Sequence, residues 1–224
     1  MRSCDFYLKT LDNRVCLISR GQQNIKPFYV DFTRGAVSYR AGQSKNRKQL
    51  IARAVGLKGG LTPRIVDFTA GFGRDAFILA SLGCRVHMVE RHPLVAELLS
   101  DGLKRARQDQ KIGSWVAERI SMVKTDSLSS DLILPFEPDV VYLDPMFPPR
   151  QKSALVKKDM RLLQSLIGKE ADSGELLSLA LTRAASRVVV KRPLYAEPLG
   201  GKTPDTQIKT KLNRFDIYLK IKEK

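Results

Sequence analysis

The chain is short of residues that build covalent or metal cross-links. Among 224 residues there are only 3 cysteines and 2 histidines. Cys4, Cys16 and Cys84 are odd in number and far apart, which excludes a disulfide framework or a zinc knuckle and fits a reducing cytoplasm. With His87 and His92 the sole imidazoles, no metal site is expected. No run approaches the roughly 18 apolar residues that would span a membrane. The opening M-R-S-C-D-F-Y-L-K-T also lacks the apolar core of an export signal. The lone tryptophan, Trp115, reads as core. Acidic residues are the scarcest relative to need: 23 Asp and Glu against 39 Lys and Arg leave a net charge of +16. An excess of that size points to an extended anionic partner, with nucleic acid favoured over a membrane surface because no basic amphipathic anchor stands out.

What is present is a regular alternation of strand and helix. In P-R-I-V-D-F-T-A-G-F-G-R-D, Ile65 and Val66 end a short buried strand, and Gly71 and Gly73 allow a tight turn. A-F-I-L-A-S-L then makes a helix that Gly83 stops. Further strands are expected at 85–89, 120–123, 139–143 and 187–191, with an amphipathic helix from Leu94 to Arg107. Asp172 and Glu175 have the spacing of an N-cap and its N3 partner for a helix running to about Ala185. The runs 208–211 and 214–221 lie so close that they must pair as an antiparallel hairpin. The expected fold is α/β and Rossmann-like: a mainly parallel seven-stranded sheet with a C-terminal antiparallel hairpin, over residues 61–224. Residues 1–60 read as a small N-terminal α+β lobe. It would hold a β-hairpin from Phe28–Phe32 and Ala36–Tyr39, followed by a basic helix from Ser44 to Val55.

In an open α/β sheet ligands bind beyond the carboxyl ends of the strands. Those ends carry Asp67 with its Gly71–Gly73 turn, then Glu90, Asp126 and Asp144. Glu90 can accept from both hydroxyls of a ribose, so an adenosine-type ligand is expected. Gly71-x-Gly73-x-x-Ala76 also satisfies a loose dinucleotide fingerprint, which keeps an NAD(P)-dependent oxidoreductase open, as does the charge a non-catalytic RNA-binding module. Asp144-Pro145-Met146-Phe147 separates these readings. Pro145 fixes the chain and leaves the Asp144 side chain facing the cleft, while Phe147 offers a flat surface for a base. A conjugated exocyclic amine is a poor nucleophile, and acceptors that grip its protons localise the lone pair for attack. Hydride transfer has no use for that arrangement. Lys152, Lys157, Lys158 and Arg161 follow this turn and Lys191-Arg192 ends the fifth strand, where RNA phosphates would pass the cleft mouth.

These strings also carry a resemblance. D-F-T-A-G-F-G-R-D-A resembles motif I of class I S-adenosylmethionine-dependent methyltransferases, and D-P-M-F-P resembles their amino-methylating motif, with Met146 where a second proline is usual. More narrowly, V-Y-L-D-P-M-F-P, K-S-A-L-V-K-K-D-M-R, V-V-V-K-R-P and R-F-D-I-Y are similar to the RsmJ family of bacterial small-subunit ribosomal RNA guanine-N2 methyltransferases. The resemblance implies S-adenosylmethionine as cofactor, contacted at Arg74 and Asp75, Glu90 and Arg91, Asp126 and Ser127, and Asp144. It implies small-subunit ribosomal RNA as partner and methylation of a guanine amine as the reaction.

Overall fold

The structure, a computed structural model, describes residues 6–20, 26–35, 38, 49–58, 60–146, 166 and 172–220. In chain order the elements are β1 (Phe6–Leu11), β2 (Arg14–Ser19), α1 (Leu50–Ala54), β3 (Arg64–Asp67), α2 (Arg74–Ser81) and β4 (Arg85–Glu90). They continue with α3 (Pro93–Arg107), α4 (Gly113–Arg119), β5 (Ile120–Lys124), β6 (Val140–Leu143), α5 (Ser173–Arg183), β7 (Arg187–Pro193), β8 (Thr206–Lys209) and β9 (Asn213–Leu219).

Seven strands form one sheet in the order β5-β4-β3-β6-β7-β9-β8. The five from β3 to β7 are parallel, and β9 runs antiparallel to both β7 and β8. The expected seven-stranded α/β architecture is therefore present. Alternation along each strand feeds two cores, as a sheet covered on both faces requires. Ile65, Val140, Tyr142 and Val189 face one cluster with Phe77, Leu98 and Leu99 from α2 and α3. Val66, Val141, Leu143, Val188 and Val190 face the other, with Leu176, Leu177 and Ala180 of α5. Gly73 sits at φ 70° at the start of α2, where an added Cβ would lie 2.7 Å from Leu99 Cδ1. Glycine there meets both a left-handed backbone and a close helix approach. Among the described residues no helix is long and apolar enough to cross a membrane.

The N-terminal residues depart from expectation. The hairpin is β1–β2, turned through Asp12 and Asn13 at φ 47° and 57°, residue types that tolerate the left-handed region. Phe28 makes only a single bridge, to Leu17, and Ser38 is helical, so no strand pair runs through 28–39 among the described residues. The reason is packing. Phe28 and Phe32 turn inward against Phe72 and Phe77, each with ring centroids 4.6 Å apart, and the Asp31 carboxylate ties off a turn at Thr33. Ala36, Val37 and Tyr39, and the basic residues 44–48 before α1, lie outside the described residues. Helix α4 has no counterpart in the sequence reading; it seats Trp115 against Phe77 at 5.0 Å. The final hairpin starts earlier than its periodicity suggests because Thr210 folds back, its N–H donating to the Asn213 carbonyl at 2.7 Å.

Candidate active site

Strand β3 leads outward to β4, yet its other neighbour is β6, reached only after β5. The order reverses there, and a crevice opens beyond the carboxyl ends. Its wall carries Thr69, Gly71, Glu90, Arg91, Asp126, Ser127 and Asp144, with Phe68, Met146 and Leu176 supplying apolar surface. The cleft holds about 470 Å³ including its open mouth. Gly71 and Asp144 thus share one cleft, the placement on which the sequence reading depends.

Each carboxylate here has a distinct task. Asp67 is buried, and its Oδ1 accepts from the Thr69 N–H at 3.0 Å and from the Thr69 hydroxyl at 3.4 Å. Burial, reinforced by the charges of Asp75, Asp144 and Glu90, pushes its carboxyl up to about 8 against the pull of the Thr69 bond. Asp67 therefore shapes the turn from behind and does not line the cleft. Thr69 in turn accepts the Asp144 N–H at 2.6 Å, which ties the ends of β3 and β6 together. Glu90 receives the Gly71 N–H on Oε2 at 2.7 Å and the His92 N–H on Oε1 at 2.8 Å.

Asp126 caps its own turn through Leu128 N–H at 2.9 Å, and the Ser127 hydroxyl donates to the Phe68 carbonyl at 2.7 Å. Arg91 joins the rim together: it lies 3.6 Å from Asp126 and binds Asp172 with both terminal nitrogens. That contact holds the Asp172 carboxyl below the usual carboxylate range. Asp172 is the N-cap of α5 but makes no side-chain capping bond; Arg91 takes its carboxylate instead, which corrects the expected capping box.

Lys191 departs most from expectation. Its ammonium does not face the cleft mouth; it donates to Asp75 Oδ2 at 2.7 Å and to Asp144 Oδ2 at 2.6 Å. Tyr142, fully buried on β6, donates its hydroxyl to the same Asp75 oxygen at 2.8 Å. Burial alone would lower the Lys191 pKa, but Asp144 and Asp75 outweigh it and hold the ammonium charged. Burial raises the Asp144 carboxyl against the opposing charge of Lys191. Arg192 is also buried, its guanidinium donating to the Glu197 carbonyl at 3.1 and 2.8 Å, because alternation turns it away from Lys191. Arg74 opens α2, 6.0 Å from the Phe72 ring. Pro145 is buried directly behind Asp144. Phe147, Lys152, Lys157, Lys158 and Arg161 lie outside the described residues. Thr69 and Tyr142 have no place among the site residues expected from sequence, and Asp172 is expected only as a helix cap; Thr69 alone of the first two carries a local signal, a hydroxyl placed two residues after a carboxylate.

The donor set tests the ligand. Glu90, Asp126 and Asp144 present carboxylates to one cleft, and the guanidinium among them is engaged by Asp126 and Asp172. That lining repels a pyrophosphate and suits a ligand rich in donors or positive charge. S-adenosylmethionine, with a sulfonium, a ribose diol and an adenine amine, matches it; an anionic dinucleotide does not.

Comparisons with known proteins agree. A family model for SAM-dependent methyltransferases matches residues 1–220. The ribosomal RNA small subunit methyltransferase J of Shewanella loihica is 55% identical over 215 residues, spanning 96% of this chain and 83% of the relative. That of Tolumonas auensis is 57% identical over 198 residues, or 88% of this chain and 80% of its own. The crystal structure of a SAM-dependent methyltransferase from Neisseria gonorrhoeae has a TM-score of 0.74 at 36% identity, covering 98% of this chain and 84% of that one.

Proposed function

This chain belongs to the ribosomal RNA small subunit methyltransferase J family of SAM-dependent methyltransferases, and from that membership we propose that it methylates the exocyclic N2 amine of a guanine in small-subunit ribosomal RNA. The observation that carries this reading is the setting of Asp144. Its backbone is fixed by Thr69 and its Oδ2 by Lys191, and it opens on the same cleft as Glu90 and Gly71.

When bound, S-adenosylmethionine supplies a sulfonium methyl group already activated for displacement. The protein's task is alignment, which is where most of the rate enhancement for such a transfer can arise. Gly71 and Gly73 let the backbone come close to the cofactor, and Arg74 pairs with its carboxylate end. Glu90 accepts from the ribose hydroxyls, and Asp126 with Ser127 meets the adenine edge, Arg91 bracing Asp126 from the rim. Asp67 and Asp75 act from behind, one holding the glycine turn and the other holding Lys191. Asp144 accepts an N–H of the guanine amine, which concentrates the nitrogen lone pair toward the methyl group. Lys191 opposes the effect of burial on that carboxylate, favouring its anionic form, and fixes its direction. The guanine leaves any helical stack to enter, and Phe147 offers its ring as a stacking surface. Residues 61–224 form the methyltransferase domain in this reading, and residues 1–60 a lobe that braces it.

The test is transfer of a tritiated methyl group from S-adenosylmethionine to small-subunit ribosomal RNA, followed by digestion to nucleosides. Label in N2-methylguanosine is expected. Label in another nucleoside, or none, overturns the reading.

A further inference from the structure

Because β8 and β7 both run antiparallel to β9, they point the same way, and the β8–β9 turn lies on the carboxyl edge of the sheet. That is the edge on which Asp144 and Lys191 sit. The turn is rigid: the Thr210 hydroxyl donates to the Asn213 carbonyl at 2.7 Å and accepts from the Leu212 and Asn213 N–H groups at 3.2 and 2.8 Å. It presents exposed Lys209 and Lys211, with Leu212 beside them 80% exposed. Leu194, at the exit of β7, donates its N–H to the Leu212 carbonyl, and beside it Tyr195 stands 43% exposed.

This exit is pinned from below. Arg214 donates to the carbonyls of Pro193 and Leu194 at 3.1 and 2.9 Å, and Asp216 grips the guanidinium at 2.8 and 3.1 Å with both side chains sealed from water. The R-F-D string, which the active site leaves unexplained, therefore fixes where Tyr195 stands. From Lys191, whose ammonium touches Asp144, the chain to Tyr195 spans at most about 13 Å, at roughly 3.3 Å per residue. Exposed aromatic and aliphatic surface flanked by lysines, on the sheet edge that carries Asp144, fits single-stranded nucleic acid: rings stack on bases and ammonium groups track phosphates. A net charge of +16 supplies the complementary field.

We propose that this edge is where the RNA strand adjoining the target base docks, with Tyr195 stacking on a neighbouring base and Lys209 and Lys211 contacting phosphates. The inference rests on the RNA methylation reading above and adds the surface that holds the strand.

The experiment measures binding of a small-subunit ribosomal RNA transcript to the full chain as a function of salt, with S-adenosylmethionine affinity measured alongside by calorimetry. Neutralising two single-strand phosphate contacts in Lys209→Gln/Lys211→Gln lowers the slope of log K against log salt by about 1.4. Tyr195→Ala weakens RNA binding by about tenfold, and Tyr195→Phe restores it. Lys111→Gln, an exposed lysine in the loop after α3, leaves both readouts unchanged, and every variant keeps wild-type cofactor affinity. A double variant with the wild-type slope, or a Lys111→Gln protein with an equal loss, overturns the proposal. A wild-type protein that binds no RNA overturns the methylation reading instead, so the two failures are distinguishable.

Discussion

The Lys191 ammonium lies 2.6 Å from Asp144 and bridges it to Asp75 at 2.7 Å, across three different elements of the sheet and helix layers. Among the described residues, Asp67 and Tyr142 also lie near these two carboxylates, and Arg192 lies near Asp144. In Lys191→Met two carboxylates face each other without their shared cation, and like charges raise a carboxyl pKa. If the reaction needs Asp144 ionised, activity of the variant falls as pH is lowered through that raised value and recovers on the alkaline side. The acid limb of its pH–rate profile is expected to lie about 1–3 pH units above the wild-type limb, with Lys191→Arg returning part of the way. A profile of unchanged shape, merely scaled down, would show that Lys191 serves stability alone.

Asp144→Asn keeps the shape of the side chain and the Thr69 bond to the backbone, but removes an anionic acceptor. Turnover is expected to fall by about 10²–10³, in line with the loss of one preorganised polar contact at a reacting centre. Cofactor affinity, measured by calorimetry, should stay within about tenfold, since this acceptor acts on the amine. Equal losses in both measurements would make Asp144 a cofactor ligand only.

Asp67 predicts a pH dependence of stability. Its carboxyl titrates near 3.8 when unfolded and is pushed up to about 8 in the fold. Between those values the native state holds a proton that the unfolded chain has released. The stabilising contribution is thus fully present below about pH 4 and is lost as pH rises through about 8. Asp67→Asn carries no such term and can still accept the Thr69 N–H. Urea unfolding from pH 4 to 8 should show the variant gaining on the wild type by up to about 1.4 kcal/mol per pH unit. A constant difference across that range would place the Asp67 carboxyl in its ordinary range.

Much of this architecture was legible because it is local. The run Ile65-Val66-Asp67 into Gly71 and Gly73 carries its own strand, turn and helix signals, and the acids at the strand ends stand out one by one. The β1–β2 hairpin carries no such signal, because its turn residues, Asp12 and Asn13, are flanked by mixed rather than alternating side chains. For Lys191 the sequence shows a basic pair after a strand, which suggests a phosphate contact, but not the two aspartates that face it from α2 and from the end of β6. The same holds for Asp172, whose cap spacing is correct while its actual partner, Arg91, lies at the end of β4. Pairings between distant elements leave no spacing to read.

Arg214 and Asp216 form a buried ion pair, with side chains 6% and 0% exposed. Taking two charges out of water is costly, and the pair is tolerated because every group is used: Arg214 also serves the Pro193 and Leu194 carbonyls, and Asp216 Oδ1 accepts from the Gln207 amide at 2.7 Å. Removing one partner strands the other. Arg214→Met should therefore destabilise the fold by about 3–5 kcal/mol, and Asp216→Leu by a similar amount. The double variant Arg214→Met/Asp216→Leu leaves no uncompensated charge, so its cost should be smaller than the sum of the single changes and could approach that of either one alone. A double-mutant cycle by urea unfolding measures this directly. Strict additivity would mean that the two side chains are not coupled as their 2.8 Å contact implies.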